Sequence, residues 1–293
     1  MQGSLIRVVR DREEDDLYTR VAWCILGQNG NWERLPKAAN YNLENNDVAG
    51  GIVDAQGTSW TVDLQRTEAK RQTGQTANLK RLHNQPGKRT DFTLPLYWDD
   101  MADNETMKVV ALQPSSAEYR SVKEAFKRTV PKTVMKIERL QNIHLRRAYE
   151  AQRKLITDKN ILDGGAGEKL LYHGTTQDNC DAIMKNGFNR RYAGQNATSY
   201  GHGTYFAVSA SYSANPTYSK PAVDGSQLMF VARVLTGTYT VGGSAMKVPP
   251  PRNVLQPHDL YDSVVDRIDN PSMYVVFHDN QAYPDYLITF KSW

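Results

Sequence analysis

Apolar and polar positions alternate in short runs through the first hundred residues, a period that reads as β structure. Val21-Ala-Trp23-Cys-Ile25 is a compact apolar run. Gly27-Gln-Asn-Gly30 supplies hairpin-turn chemistry after it, and Trp32 opens the next strand. Between Leu35 and Glu44 the apolar residues fall at helical spacing, which predicts one short helix. Gly50-Gly51, Gly57 and Gly74 punctuate further strands, among them Ser59 to Leu64. From Gly74 to Asp91 the chain is polar and basic and reads as a strand end and loop. The stretch from Leu94 onward resembles a linker, with Pro114 marking entry to a second region.

Beyond Pro114 the pattern changes. Ser115 or Ser116 caps a helix with Glu118 in its first turn and Val122, Ala125 and Phe126 on its apolar face. Val134 to Leu140 alternates like a strand, Leu145 to Leu155 returns to helical spacing, and Asp163-Gly164-Gly165 ends that helix. Short strands then follow at Lys169–Tyr172, Gly203–Ala207, Met229–Leu235, Tyr274–Phe277 and Tyr286–Phe290. Many strands with few helices predict an α+β fold with a mainly antiparallel sheet. The expected division is a first domain over 1–100, a linker over 101–114 and a second domain over 115–293.

Composition narrows the picture only a little. The chain has 293 residues, enough for two domains, with 40% hydrophobic and 23% charged residues. A net charge of +4 permits a polyanionic partner without implying one, so nucleic acid is not called for. Cys24 and Cys180 stand far apart and form neither a disulfide framework nor a metal-ligand pattern. No run approaches the roughly 18 apolar residues of a membrane span, and residues 1–16 lack the apolar core of a signal peptide. A cytoplasmic or nuclear setting without a membrane is the expectation.

The candidate chemistry lies in separated short motifs: Leu171-Tyr-His173-Gly174-Thr175, then Gly203-Thr-Tyr205-Phe206-Ala207, then Ser213-Ala214, then a late strand before Gln281 and Tyr286-Leu287. In this order they resemble the poly(ADP-ribose) polymerase family of ADP-ribosyltransferases over roughly residues 115–291. The resemblance implies a split, mainly antiparallel sheet with flanking helices, and NAD as a substrate, with no metal. It implies that His173 hydrogen-bonds a ribose hydroxyl, that Gly174 and Ser213 hold the carboxamide, and that Tyr205 and Tyr218 sandwich the nicotinamide ring. Thr175, Asn179 and Tyr192 would line the same cleft. Phe188-Asn-Arg-Arg-Tyr192-Ala-Gly194 is similar to the donor loop of the macrodomain-bearing subgroup, although the chain has no length for a macrodomain. Nor is there length after Leu112 for a helical autoinhibitory domain, so the site is expected to stand open.

Polymerising relatives carry a Glu on the late strand. Counting back from Tyr286-Leu287, that position is Met273, and a thioether neither takes a proton nor accepts a strong hydrogen bond. The expected product is therefore a single ADP-ribose unit on a protein acceptor. The nearest acid in sequence is Asp279, six positions on. An inert protein that only reads ADP-ribose remains the alternative, and each of these side chains taken alone also fits a packing role.

In the first domain Trp23, Trp32 and Glu44 resemble a WWE domain, a small half-barrel with one helix. That resemblance implies a pocket for ADP-ribose or its polymer, with Arg66, Lys70, Arg71, Lys80 and Arg81 as candidates to meet phosphate. Trp60 stands where related domains carry Tyr, and both Trp23 and Trp32 equally suit a small core.

Overall fold

The computed structural model describes residues 14, 17–18, 21–28, 30–83, 94–189 and 198–292. The chain divides into two compact units, Met1–Glu105 and Thr106–Trp293.

The first unit contains strands β1 (Val21–Leu26) and β2 (Trp32–Arg34), helix α1 (Lys37–Glu44), and strands β3 (Ile52–Val53), β4 (Ser59–Asp63), β5 (Glu68–Lys70) and β6 (Thr76–His83). All pairings are antiparallel, in the order β2-β1-β6-β5-β4-β3. Alternation on β1 sends Val21, Trp23 and Ile25 into one core with Leu35, Ala39 and Leu43 around α1 and with Trp60, Ala77 and Leu79. The Asn40 side chain accepts from the Trp23 amide at 2.7 Å and pins α1 to that strand.

Where a strand end and loop were expected from Gly74 onward, β6 runs as strand as far as His83. Its inward residues, Ala77, Leu79 and Leu82, are few and small, with Lys80 and Arg81 between them, so the apolar signal is weak. Pairing with β1 on one side and β5 on the other holds it as a strand.

The second unit runs β7 (Met107–Ala111), α2 (Ala117–Lys127), β8 (Val134–Asn142), α3 (Ile143–Lys159), β9 (Glu168–Thr175), α4 (Gln177–Asn186), β10 (Thr204–Ala207) and α5 (Ala210–Ser213). It continues β11 (Ser226–Leu235), β12 (Tyr239–Val241), β13 (Pro251–Asn253), β14 (Gln256–Leu260), β15 (Ser263–Val265), β16 (Met273–Val276), a 3₁₀ turn at Asp279–Gln281, and β17 (Ala282–Lys291). Nine strands form a sheet in the order β12-β15-β16-β10-β9-β11-β17-β8-β7, antiparallel except for β12 against β15. β7, which pairs with β8 from Met107↔Asn142 to Ala111↔Glu138, occupies the stretch expected to be linker. Five residues give too short a pattern to stand out between Asn104 and Pro114.

Both faces of this sheet are covered, which is why its central strands read as nearly continuous apolar runs. Leu228, Phe230, Ala232 and Val234 of β11 face a core that includes Cys180 and Ile183 of α4. The alternate residues Met229 and Val231 face Tyr119 and Phe126 of α2 and Ala210 of α5.

Candidate active site

β9 pairs with β11 from Glu168 to Thr175, but its ladder with β10 consists of one pair, Tyr172↔Ala207. Past Tyr172 the two strands part. The side chain of His173 bridges the gap, with Nδ1 2.8 Å from the carbonyl oxygen of Tyr205. A carbonyl only accepts, so Nδ1 carries the proton and donates it. Burial lowers the imidazole pKa, opposed by that same backbone bond. The ring is therefore neutral near pH 7, and Nε2 offers a lone pair.

Gly174 lies where nothing larger fits. A Cβ there would stand 2.4 Å from the Ser213 carbonyl oxygen and 3.0 Å from the Tyr218 Cβ. The absent side chain thus lets β9, α5 and the turn after it meet at one point. Ser213 is buried, and its hydroxyl donates to the Tyr172 carbonyl at 3.1 Å. In this state its single proton is engaged by the protein, so the donor role expected of Ser213 requires the hydroxyl to turn.

Tyr218 has a partner that the sequence motifs did not flag. Its ring stacks on Tyr212, with centroids 5.0 Å apart and planes 20° apart, and the two hydroxyls lie 2.9 Å from each other. One face of Tyr218 is therefore covered by protein. Adjacency to Ser213 was the only sequence signal for Tyr212, because the two tyrosines stand six positions apart, across the end of α5 and the turn after it.

Tyr205 is held by its tip. Its hydroxyl donates to Gly201 O at 2.8 Å and accepts from the Tyr200 amide at 3.1 Å, while the ring packs with Val264, Val275 and Phe277. Burial raises its pKa and keeps the phenol protonated. Across β10 and β16, Tyr205 pairs with Val275 and Ala207 with Met273, so Met273 shares a face with Tyr205. Met273 is buried.

An acid that sequence distance did not single out, Asp266, bonds the Met273 amide; exposed Asp279 opens the 3₁₀ turn instead. The Asp266 carboxylate accepts from the amides of Ser272 at 2.9 Å and Met273 at 3.2 Å, and from the Ser272 hydroxyl at 2.5 Å. Burial would raise its pKa, but these bonds hold it below the usual carboxylate value. Its oxygens are committed to closing the turn between β15 and β16.

Of the remaining cleft candidates, Thr175 is buried with its hydroxyl directed to Thr176 O at 3.4 Å. Asn179 is half-buried in the first turn of α4. Tyr192 lies outside the described residues.

In the first unit Trp23, Trp32 and Glu44 are engaged in contacts within the protein. Trp23 Nε1 donates to Glu44 at 2.5 Å, and Arg81 clamps the same carboxylate at 2.6 and 2.9 Å. Trp32 packs beneath Lys80, whose Nζ is 5.4 Å from the ring. None of Trp23, Trp32 and Glu44 lines the cavity of about 620 Å³ in this unit. Its lining includes Trp60, Arg71, Glu33, Asp54, Gln75 and Asn78. Of the five expected basic residues only Arg71 borders it, its guanidinium 4.5 Å from the Trp60 ring. Lys80 is turned to the Trp98 carbonyl and Arg81 to Glu44, while exposed Arg66 pairs with Asp63. Trp60 is fixed by Nε1 donating to Asp54 at 2.8 Å.

A model of the poly(ADP-ribose) polymerase catalytic domain matches residues 116–292. Among curated proteins, the protein mono-ADP-ribosyltransferase PARP14 of Homo sapiens is 43% identical over 233 residues, covering 79% of this chain and 12% of its own length. The protein mono-ADP-ribosyltransferase PARP12 of Mus musculus is 41% identical over 204 residues, 68% of this chain and 28% of its own. The protein mono-ADP-ribosyltransferase PARP10 of Mus musculus is 37% identical over 193 residues, 63% of this chain and 20% of its own. The chain thus spans well under a third of the length of each of these relatives.

Proposed function

This chain belongs to the poly(ADP-ribose) polymerase catalytic-domain family, and on that premise we propose that it transfers one ADP-ribose unit from NAD to a protein acceptor. The observation that carries this reading is the junction of His173, Gly174, Ser213 and Tyr218 where β9 and β10 part. There a neutral imidazole with a free Nε2 lone pair accepts from a ribose hydroxyl. The main chain at Gly174 meets the flat carboxamide, and the uncovered face of Tyr218 takes the nicotinamide ring. As the C1′–N bond breaks, its electron pair stays with nicotinamide and cancels the pyridinium charge, leaving an oxocarbenium-like sugar. The acceptor nucleophile then forms the new bond to C1′, and any proton it carries passes to solvent water. Holding the sugar and the leaving group in line does the catalytic work, with no strong base required.

Met273 supports the single-unit outcome, since an apolar side chain offers nothing to activate a second ribose hydroxyl. Incubating the protein with labelled NAD and weighing the adduct tests the reading. Single additions on the protein are expected; a polymer ladder would overturn the argument from Met273. An inert reader would show neither nicotinamide release nor an adduct.

A second reading concerns the first unit, where the cavity beside Trp60 and Arg71 supports a WWE-like pocket for an ADP-ribose end. Calorimetric titration of ADP-ribose should give binding that Arg71→Ala removes. Equal heats from both proteins would reject it.

A further inference from the structure

Four rings meet in the second unit around the imidazole. His173 lies 5.2 Å from Phe188 at 70° and 5.5 Å from Phe206 at 49°. Phe188 and Phe206 close the triangle edge to face at 4.9 Å, and Phe230 backs Phe188 at 5.8 Å. All three phenylalanines are buried. Phe206 and Phe230 belong to β10 and β11 and are fixed by the ladder. Phe188 comes from another element. It follows Gly187, which ends α4 with φ 77° and ψ −173°, a conformation open to glycine and strained for other residues. The Gly187 amide closes the helix on Ile183 O at 2.8 Å, and the chain then turns Phe188 back onto the sheet.

One hydrogen bond, Nδ1 to Tyr205 O, holds a single edge of the imidazole and leaves the ring free to swivel about it. Rings on two different elements remove that freedom. The constraint matters because the partner position carries a thioether, so no carboxylate there shares the task of holding the ribose.

We propose that Phe188 is a positioning residue for the transfer reaction: its ring sets the angle at which His173 presents Nε2, and thereby makes that angle depend on how α4 ends. The inference rests on the transferase reading above. The edge-to-face contact acts through the imidazole without touching substrate, so its loss disturbs the transition state more than ground-state binding.

The test uses the full chain. Phe188→Leu keeps an apolar side chain of nearly the same depth without the ring, and Phe188→Met is the second variant should the first fail to fold. Nicotinamide release from NAD should show kcat lowered about tenfold with KM changed by less than about threefold. In nuclear magnetic resonance spectra the ring protons of His173 should be displaced by the ring currents of the two phenyl rings in the wild type, and lose the Phe188 part of that displacement in the variant. Unchanged kcat in a folded variant, a rise in KM alone, or unshifted His173 protons in the wild type would each overturn the proposal. A wild-type protein that releases no nicotinamide sinks the transferase reading instead, and the spectrum still reports whether the imidazole is seated as described.

Discussion

At the scale of single residues, two expectations follow directly from contacts. Gly174→Ala would put a methyl 2.4 Å from a backbone oxygen that α5 cannot easily withdraw. Nicotinamide release should fall roughly hundredfold, because a displacement near 1 Å at a reacting centre is that costly; a variant within twofold of wild type would remove the close approach from the account. The second concerns pH. Burial lowers the folded-state pKa of His173 below its ordinary value of 6.5. Activity that needs the neutral ring should therefore hold as pH falls to about 6.5, where an unperturbed imidazole is half protonated, and decline only below it. Stability follows the same sign: below about 6.5 the unfolded chain binds more protons than the folded one, so this group's contribution is lost as pH drops. A pH profile of nicotinamide release with its acid limb above 6.5 would contradict the burial argument. His173, Gly174 and Ser213 were legible as residues because their motifs are compact. Tyr212 and Asp266 were not, since one acts through ring stacking across an irregular turn and the other through a hairpin that returns it to Met273.

At the scale of elements, the cleft depends on α3 and α4 being tied together. The Asn142 side chain caps α3 by accepting from the Leu145 amide at 3.1 Å and donates to Met184 O near the end of α4 at 3.0 Å. Asn142→Ala removes a cap and strands a carbonyl, a loss of about 2 kcal/mol. Chemical denaturation should show that decrease; an unchanged midpoint would mean that water replaces both bonds. β1 and β11 were readable from the chain as compact apolar runs buried on both faces, and β8 from the apolar–polar alternation of its sequence. α4 was not singled out, although Thr176 caps it and Cys180, Ile183 and Met184 have helical spacing. Its apolar stripe is narrow and mixed with Asp and Asn, so the signal sits close to that of a polar loop. β6 and β7 were hidden for the parallel reason that ladder hydrogen bonds, not apolar runs, hold them.

At the scale of the whole molecule, a nicotinamide mimic that binds the folded second unit should raise its melting temperature by linkage, worth about 2.7 kcal/mol at a hundred times its dissociation constant. Scanning calorimetry with and without the mimic checks this, and no shift would favour an inert protein. The chain by itself pointed to the family, because motif spacing is written into neighbouring positions, and it offered a two-part organisation and a set of cleft residues as expectations. Counted along the late strand, it also offered Met273 as the position where polymerising relatives are expected to carry an acid. Tertiary structure alone decided that Trp23 and Glu44 brace a core instead of lining a cavity, that Arg71 is the cation beside that cavity, and that Phe188 from the end of α4 reaches the imidazole. Those facts depend on hydrogen bonds and ring contacts between residues 11 to 37 positions apart in the chain. Such contacts are settled only when the strands and helices have packed.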